Sequence, residues 1–306
     1  MKTSIKLVGL ILLLLAVGMV TLAQENPPDR AVVSFSNAAK PGTLRVELIG
    51  GSILVRGYDG KEVIIEARWR EKLLTEEQRD LLEPPEPPEP QVAGQQQGEE
   101  EQAKEKDRAE KAKGLKPIQV ESSGLVVEEE ENVIRVETES WKRAADLTIQ
   151  VPYSTSLHLE CHTGGAITVE RVDGEIVVEN SSGAINLNNV SGPVVADTEE
   201  GEIRAIFGKV NPSKPMSFST MNGDIDITLP FDVKSSLKMK TEQGKIFTDF
   251  DVKLTPSQQK KEDDQRKEGG GYRVSFEKTT LGLINGGGVE IQLNTYEGSI
   301  FIRKSK

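Results

Sequence analysis

The chain has 306 residues, 49 acidic against 38 basic for a formal charge of −11, and a single cysteine. An acidic surface of this kind repels nucleic-acid phosphates and anionic lipid headgroups, which excludes both as partners, and one cysteine excludes an intramolecular disulfide. Aromatic residues make up only 5% of the chain, a balance that suits a thin core between strands better than a large globular interior.

The chain opens with Lys2 and Lys6, a 14-residue apolar run from Leu7 to Val20, and the small-residue ending Thr21-Leu22-Ala23. Residues 1–23 therefore read as a secretory signal peptide cleaved after Ala23, because the run is shorter than the roughly 20 residues that span a bilayer; an uncleaved anchor is the alternative. No later segment is apolar enough to cross a membrane, so the mature chain is expected to have no membrane span and to be periplasmic, cell-surface or secreted.

Residues 24–82 alternate in strand fashion through Leu44, Val46, Leu48, Ile53 and Val55, turn at Tyr58-Asp59-Gly60 and resume at Val63 and Ile65. This predicts a β-meander, followed by a short helix over Leu73 to Leu82 with the capping box Thr75-Glu76-Glu77-Gln78. Residues 83–117 begin EPPEPPEP and continue Gln-rich and charged, the composition of a disordered, solvated spacer. The strand pattern returns at Ile118 and Val120 and fills residues 118–306, with one polar insertion at 257–271 that predicts a mobile loop.

Within this last segment a unit repeats. Gly165-Ala166-Ile167, Gly174-Glu175-Ile176, Gly183-Ala184-Ile185, Gly192-Pro193-Val194 and Gly201-Glu202-Ile203 follow at intervals of nine residues. A variant, T-x-x-G-x-I, recurs from Thr198, Thr220, Thr241 and Thr295, placing the same pair at Gly223 and Ile225, Gly244 and Ile246, and Gly298 and Ile300. Apolar residues sit two apart in each unit, so one face is buried, and glycine supplies the turn. Such units cannot bury their apolar faces alone. The expected fold is all-β, with strand-turn units stacked as a β-solenoid-like or rolled structure; an antiparallel sandwich is the alternative.

Val151-Pro152, the recurring T-x-x-G-x-I and the closing stretch Asn285-Gly286-Gly287-Gly288-Val289-Glu290-Ile291-Gln292-Leu293-Asn294-Thr295-Tyr296-Glu297-Gly298-Ser299-Ile300 resemble the bacterial putative-adhesin family of β-strand-repeat domains. The resemblance implies an exported envelope or surface domain whose family has no established active site. Because related domains occur in envelope-stress systems, it also implies an alternative role as a regulatory or sensory accessory protein.

The residues themselves offer little chemistry. His158, Glu160 and His162 lie two apart on one strand face and are the candidate metal ligands, but parallel side chains roughly 6.5–7 Å apart rarely converge on one ion. Cys161 points to the opposite, buried face. The units lack the aspartate of calcium-binding nonapeptide repeats. Asp224 with Asp226, and Asp249 with Asp251, could serve as glycosidase carboxylate pairs, yet an outward strand face is polar in any case. No catalytic residue and no cofactor is assigned. The expected function is a non-catalytic, adhesin-like interaction or structural module that binds an envelope or surface macromolecule, protein or glycan, with a glycan-active enzyme as the remaining alternative.

Overall fold

The computed structural model describes residues 28–70, 124–138, 143–264 and 272–306. They form β1 (Asp29–Ser34), β2 (Thr43–Tyr58), β3 (Glu62–Arg70), β4 (Leu125–Glu130), β5 (Val133–Thr138), β6 (Ala144–Pro152), β7 (Ser156–Thr163), β8 (Ile167–Glu170), β9 (Ile176–Ser182) and β10 (Ile185–Val190). They continue with β11 (Val194–Glu200), β12 (Ile203–Phe207), β13 (Met216–Asn222), β14 (Ile225–Leu229), β15 (Ser235–Thr241), β16 (Ile246–Thr248), β17 (Val252–Asp264), β18 (Tyr272–Ile284), β19 (Val289–Glu297) and β20 (Ile300–Lys304). No helix occurs among the described residues.

From β7 to β14 successive strands do not pair. At each glycine corner the chain crosses to a facing sheet, and strands two apart in sequence run parallel: β8, β10, β12 and β14 in sheet A, and β7, β9, β11 and β13 in sheet B. Ile167 aligns with Ile185, and Ile185 with Ile203. The nine-residue unit is therefore half a coil. Parallel ladders of this kind make a two-sheet β-solenoid and set aside the antiparallel sandwich, in which neighbouring strands would pair through hairpins.

Inward residues stack in columns. Ile53, Ile167, Ile185, Ile203, Ile225 and Ile300 lie in register and are at most 1% exposed, each contributing about 1.5–3 kcal/mol by burial. Opposite them, Leu159, Val178, Ala196, Phe218, Leu293 and Met239 form a column in sheet B. Small Ala196 beside Phe218 leaves room for the ring, which meets Phe207 edge-on with centroids 6.2 Å apart.

The coils do not stack in chain order. β19 and β20 lie between the β13–β14 coil and the β15–β16 coil, so Thr295 aligns with both Thr220 and Thr241. At the other end β2 bends at Gly50-Gly51 and serves as a whole coil, held between β5–β6 and β7–β8. One sequence-based expectation changes as a result. The stretch around Val32 to Arg70 is no meander, because β2 takes parallel partners from later in the chain while β3 pairs with β1 and β6. β20, inserted in the same way, is flanked by β14 and β16.

The insertion at 257–271 also differs from its expected form. Residues Ser257–Asp264 extend β17 in an unbroken antiparallel ladder against β18, whereas β15 pairs with β18 only over Thr280–Ile284. The Ser257–Asp264 stretch of β17 is polar throughout, so its strand form rests on backbone pairing and leaves no apolar alternation to read. The signal peptide at 1–23, the helix over Leu73 to Leu82 and the spacer at 83–117 lie outside the described residues.

The corners hold the stack together. A Cβ added to Gly183 would meet the Gly165 carbonyl oxygen at 2.2 Å, one on Gly201 would meet that of Gly183 at 2.2 Å, and one on Gly223 would meet that of Gly201 at 2.1 Å. These three glycines have φ between +128° and +158°. Threonine three residues before the glycine completes the corner: Thr220 Oγ1 donates to the Gly201 carbonyl at 3.0 Å, Thr295 to Gly223 at 2.9 Å and Thr241 to Gly298 at 2.8 Å. The T-x-x-G spacing thus places each hydroxyl on the glycine carbonyl of the adjoining coil.

Gly201→Ala should cost at least ~1–3 kcal/mol from backbone strain alone, measured by denaturant unfolding. Thr220→Val, which keeps the shape and removes the donor, should cost about 1 kcal/mol by taking the hydroxyl from a part-buried carbonyl. Ser219→Ala on the outer face should stay within about 0.5 kcal/mol.

Candidate interaction face

Strand register decides which outward side chains become neighbours. On the outer face of sheet B, Glu137 aligns with Glu47, Glu47 with Glu160, Glu160 with Glu179 and Glu179 with Asp197. Parallel strands lie about 4.8 Å apart, so these carboxylates form one continuous acidic ladder across the stack. Like charges directly opposite one another oppose folding. Arg135 and Arg45 occupy the adjoining column, and His162 stands against the ladder, 3.4 Å from Glu47 Oε1 and 3.6 Å from Glu160 Oε1.

Sheet A is organised differently. Arg56 pairs with Glu170 at 2.9 Å, and Arg303 with Asp226 at 2.8 Å. Near the first coils Asp146 accepts from Ser52 Oγ and from both Arg70 Nε and Nη2, which ties β2, β6 and β3 together. Burial pushes the Asp146 carboxyl up, but the Arg70 and Ser52 hydrogen bonds outweigh it and hold it below its ordinary value. Charge on sheet A is thus matched locally, while on sheet B it accumulates.

The ladder runs into a cleft. Beyond Asp197 the same column continues through Ser219 and Asn294 to Lys240, bordering a cavity of about 420 Å³ lined by Asp197, Glu199, Ser219, Met221, Asn294 and Tyr296. Met221 and Tyr296 are 58% and 51% exposed, an apolar and an aromatic surface beside the acids.

The sequence-based candidates fall as follows. His158 aligns with Arg45 and Val177, away from the contacts that His162 makes with Glu47 and Glu160. Among the described residues no group of three or more His, Cys, Asp or Glu is placed to hold a metal ion. Asp224 Oδ1 accepts from the Ser299 backbone N–H at 2.6 Å, Asp226 pairs with Arg303, and Asp249 Oδ1 accepts from the Lys304 N–H at 2.8 Å. These aspartates anchor β20 in the stack.

The glycines and isoleucines singled out from the repeat, Gly165, Ile167, Gly174, Ile176, Gly183, Ile185, Gly192, Gly201, Ile203, Gly223, Ile225, Gly244, Ile246, Gly298 and Ile300, occupy corners and core columns. The acidic ladder was not read from the sequence. Its members come from distant segments, although Glu160, Glu179 and Asp197 are spaced 19 and 18 residues apart. That is the length of a full coil, and it would have aligned them.

Cys161 is buried, with Sγ 3.6 Å from the Gly51 carbonyl. It holds the column position that Asn180 fills in the next coil, and Asn180 Nδ2 donates to both Gly165 and Gly183 carbonyls.

Fold and face together define a β-solenoid repeat protein with a charged, laterally continuous outer surface. Residues 162–285 match the family model described as Toastrack DUF4097. Two crystal structures align with the chain. A "putative cell adhesion protein" from Clostridium sporogenes shares 11% identity over 91% of this chain and 100% of that one, with a TM-score of 0.39. A "putative adhesin" from Bacteroides fragilis shares 9% identity over 91% and 97%, with a TM-score of 0.30. No curated protein matches the chain.

Burial pushes the Cys161 thiol from its ordinary 9.0 up to about 11. The folded state then holds this proton more tightly than the unfolded state. The resulting stability is complete below pH 9.0 and is lost as pH rises through about 11. At pH 8 a thiol reagent should modify Cys161 no faster than the protein unfolds; rapid labelling of the native protein would contradict this.

Proposed function

We propose that the protein is a non-catalytic interaction module of the cell envelope, exported by residues 1–23, which engages a cationic envelope or surface macromolecule through the outer face of sheet B. One observation carries the reading: the carboxylates from Glu137 to Asp197 are held in register along a rigid stack and lead into the cleft of Met221 and Tyr296. Repulsion along the ladder is relieved when a partner brings positive charge to it. The coil spacing presents that charge at regular intervals, which favours an extended partner contacting several coils at once. Exposed Met and Tyr supply the apolar contact area that protein interfaces favour.

A photo-crosslinking residue at Ser219 on sheet B should capture a defined partner in intact cells, and one at Asn186 on sheet A should not. Replacing Glu160, Glu179 and Asp197 by their amides should abolish the capture while leaving the circular dichroism spectrum unchanged. Equal capture from both sheets, or capture that survives the triple replacement, would sink the proposal. The protein recovered from the envelope should begin at Gln24 on N-terminal sequencing. Retention of residues 1–23 would instead make it an anchored protein.

A further inference from the structure

The two ends of the solenoid are stepped in opposite senses. Among the described residues, at the first end sheet A is extended beyond β6 by β3 and β1, while sheet B is extended beyond β5 by β4. At the last end, again among the described residues, sheet B is extended beyond β15 by β18 and β17, while sheet A ends at β16. β16 is three residues long and, among the described residues, pairs only with β20. Among the described residues no strand continues sheet A beyond β16. A cavity of about 340 Å³ lies between the β16 edge and the overhanging hairpin, lined by Leu237, Met239, Ile246, Val252, Leu254 and Ile302. Beside it Phe247, 47% exposed, stacks on Phe301 with centroids 5.1 Å apart.

We infer that this notch is filled by the first end of a second copy of the same chain, so that molecules stack head to tail. Strand polarity permits it. β3 is antiparallel to β6 and β1 antiparallel to β3, so β1 runs in the same direction as β6 and, through the parallel ladder, as β16. A β1 from a translated copy would therefore continue sheet A as another parallel strand. In sheet B the incoming β4 would meet β17 in antiparallel sense, since β4 opposes β5 while β17 follows β15.

Shape and charge agree with polarity. The end on which sheet A overhangs faces the end at which sheet A is short. β1 also has no second neighbour among the described residues, and its Val32 is 45% exposed. β4 presents exposed Glu128, whereas the notch is bordered by Lys245 and exposed Lys253. A contact between two unlike ends does not close on itself, so the product is an open row of molecules rather than a fixed dimer. An edge with free backbone groups beside an apolar cavity is what strand addition requires.

The test uses purified protein carrying cysteine at Val32, at Phe247 or at both, joined with a bismaleimide; native Cys161 is buried. The double variant should give a ladder of dimers, trimers and larger species. Mixing the two single variants should give dimers only, and Phe247→Cys alone should give none. Separately, Phe247→Lys should remove species above the monomer in sedimentation without altering circular dichroism. Glu128→Lys should weaken assembly, and adding Lys245→Glu should restore it. A dimer from Phe247→Cys alone would replace this arrangement with a two-fold one. Monomer at every concentration would overturn it. So would monomer in which the cysteine at position 247 is shielded from labelling, because another segment of the same chain would then fill the notch. Assembly indifferent to both charge changes would likewise count against it. None of these results bears on capture through the sheet B face, which is read independently.

Discussion

The contact on which the rest of the molecule depends is the close approach of one corner glycine to the carbonyl of the corner glycine in the adjoining coil. With about 2 Å between that oxygen and any added Cβ, every coil must turn at the same place, and adjacent strands must fall into the same register. Register then propagates. It aligns isoleucine with isoleucine inside the stack and carboxylate with carboxylate outside it, so core and surface both follow from one steric condition. The threonine hydroxyls donate to the part-buried carbonyls at this close approach, which is why threonine stands at a fixed distance before glycine.

Stacking in register has opposite consequences on the two faces of a strand. Inward, identical apolar side chains pack at strand spacing and each adds burial. Outward, identical charges repel. Sheet A escapes by alternating sign between coils, as in Arg56 with Glu170 and Asp226 with Arg303. Sheet B instead aligns five carboxylates in one column, with Arg45 and Arg135 in the adjoining one.

The out-of-order coils give the stack a second kind of constraint. β2 and the β19–β20 pair are each inserted between coils that are consecutive in the chain. The outermost coils therefore cannot peel away without breaking ladders to segments far off in sequence. Contacts of such long range slow folding, and in exchange no simple unwinding from either end is open to the chain. The strands at the two edges are the ones with no second strand partner among the described residues.

How much was legible in the sequence differs between these levels. Alternation of apolar residues and glycine at the turns depends only on neighbours in the chain, so the all-β repeat, the inward isoleucines and the corner glycines could be read from one strand at a time. The polar end of β17 could not, because its strand form rests on backbone pairing with β18, which leaves no mark on the pattern of its side chains. Position in the stack is a property of three dimensions. Thr295 lies 75 residues from Thr220 and 54 from Thr241, yet it sits between them, and no local spacing announces that. The acidic ladder shares this origin. Each of its members is an ordinary outward residue on its own strand, and only parallel register, enforced by the glycine corners, turns five ordinary residues into one surface. The sequence by itself determined the repeating unit, because turn and burial are local; the tertiary structure alone decided the order of the coils and the neighbours on each face, because those depend on which strands meet.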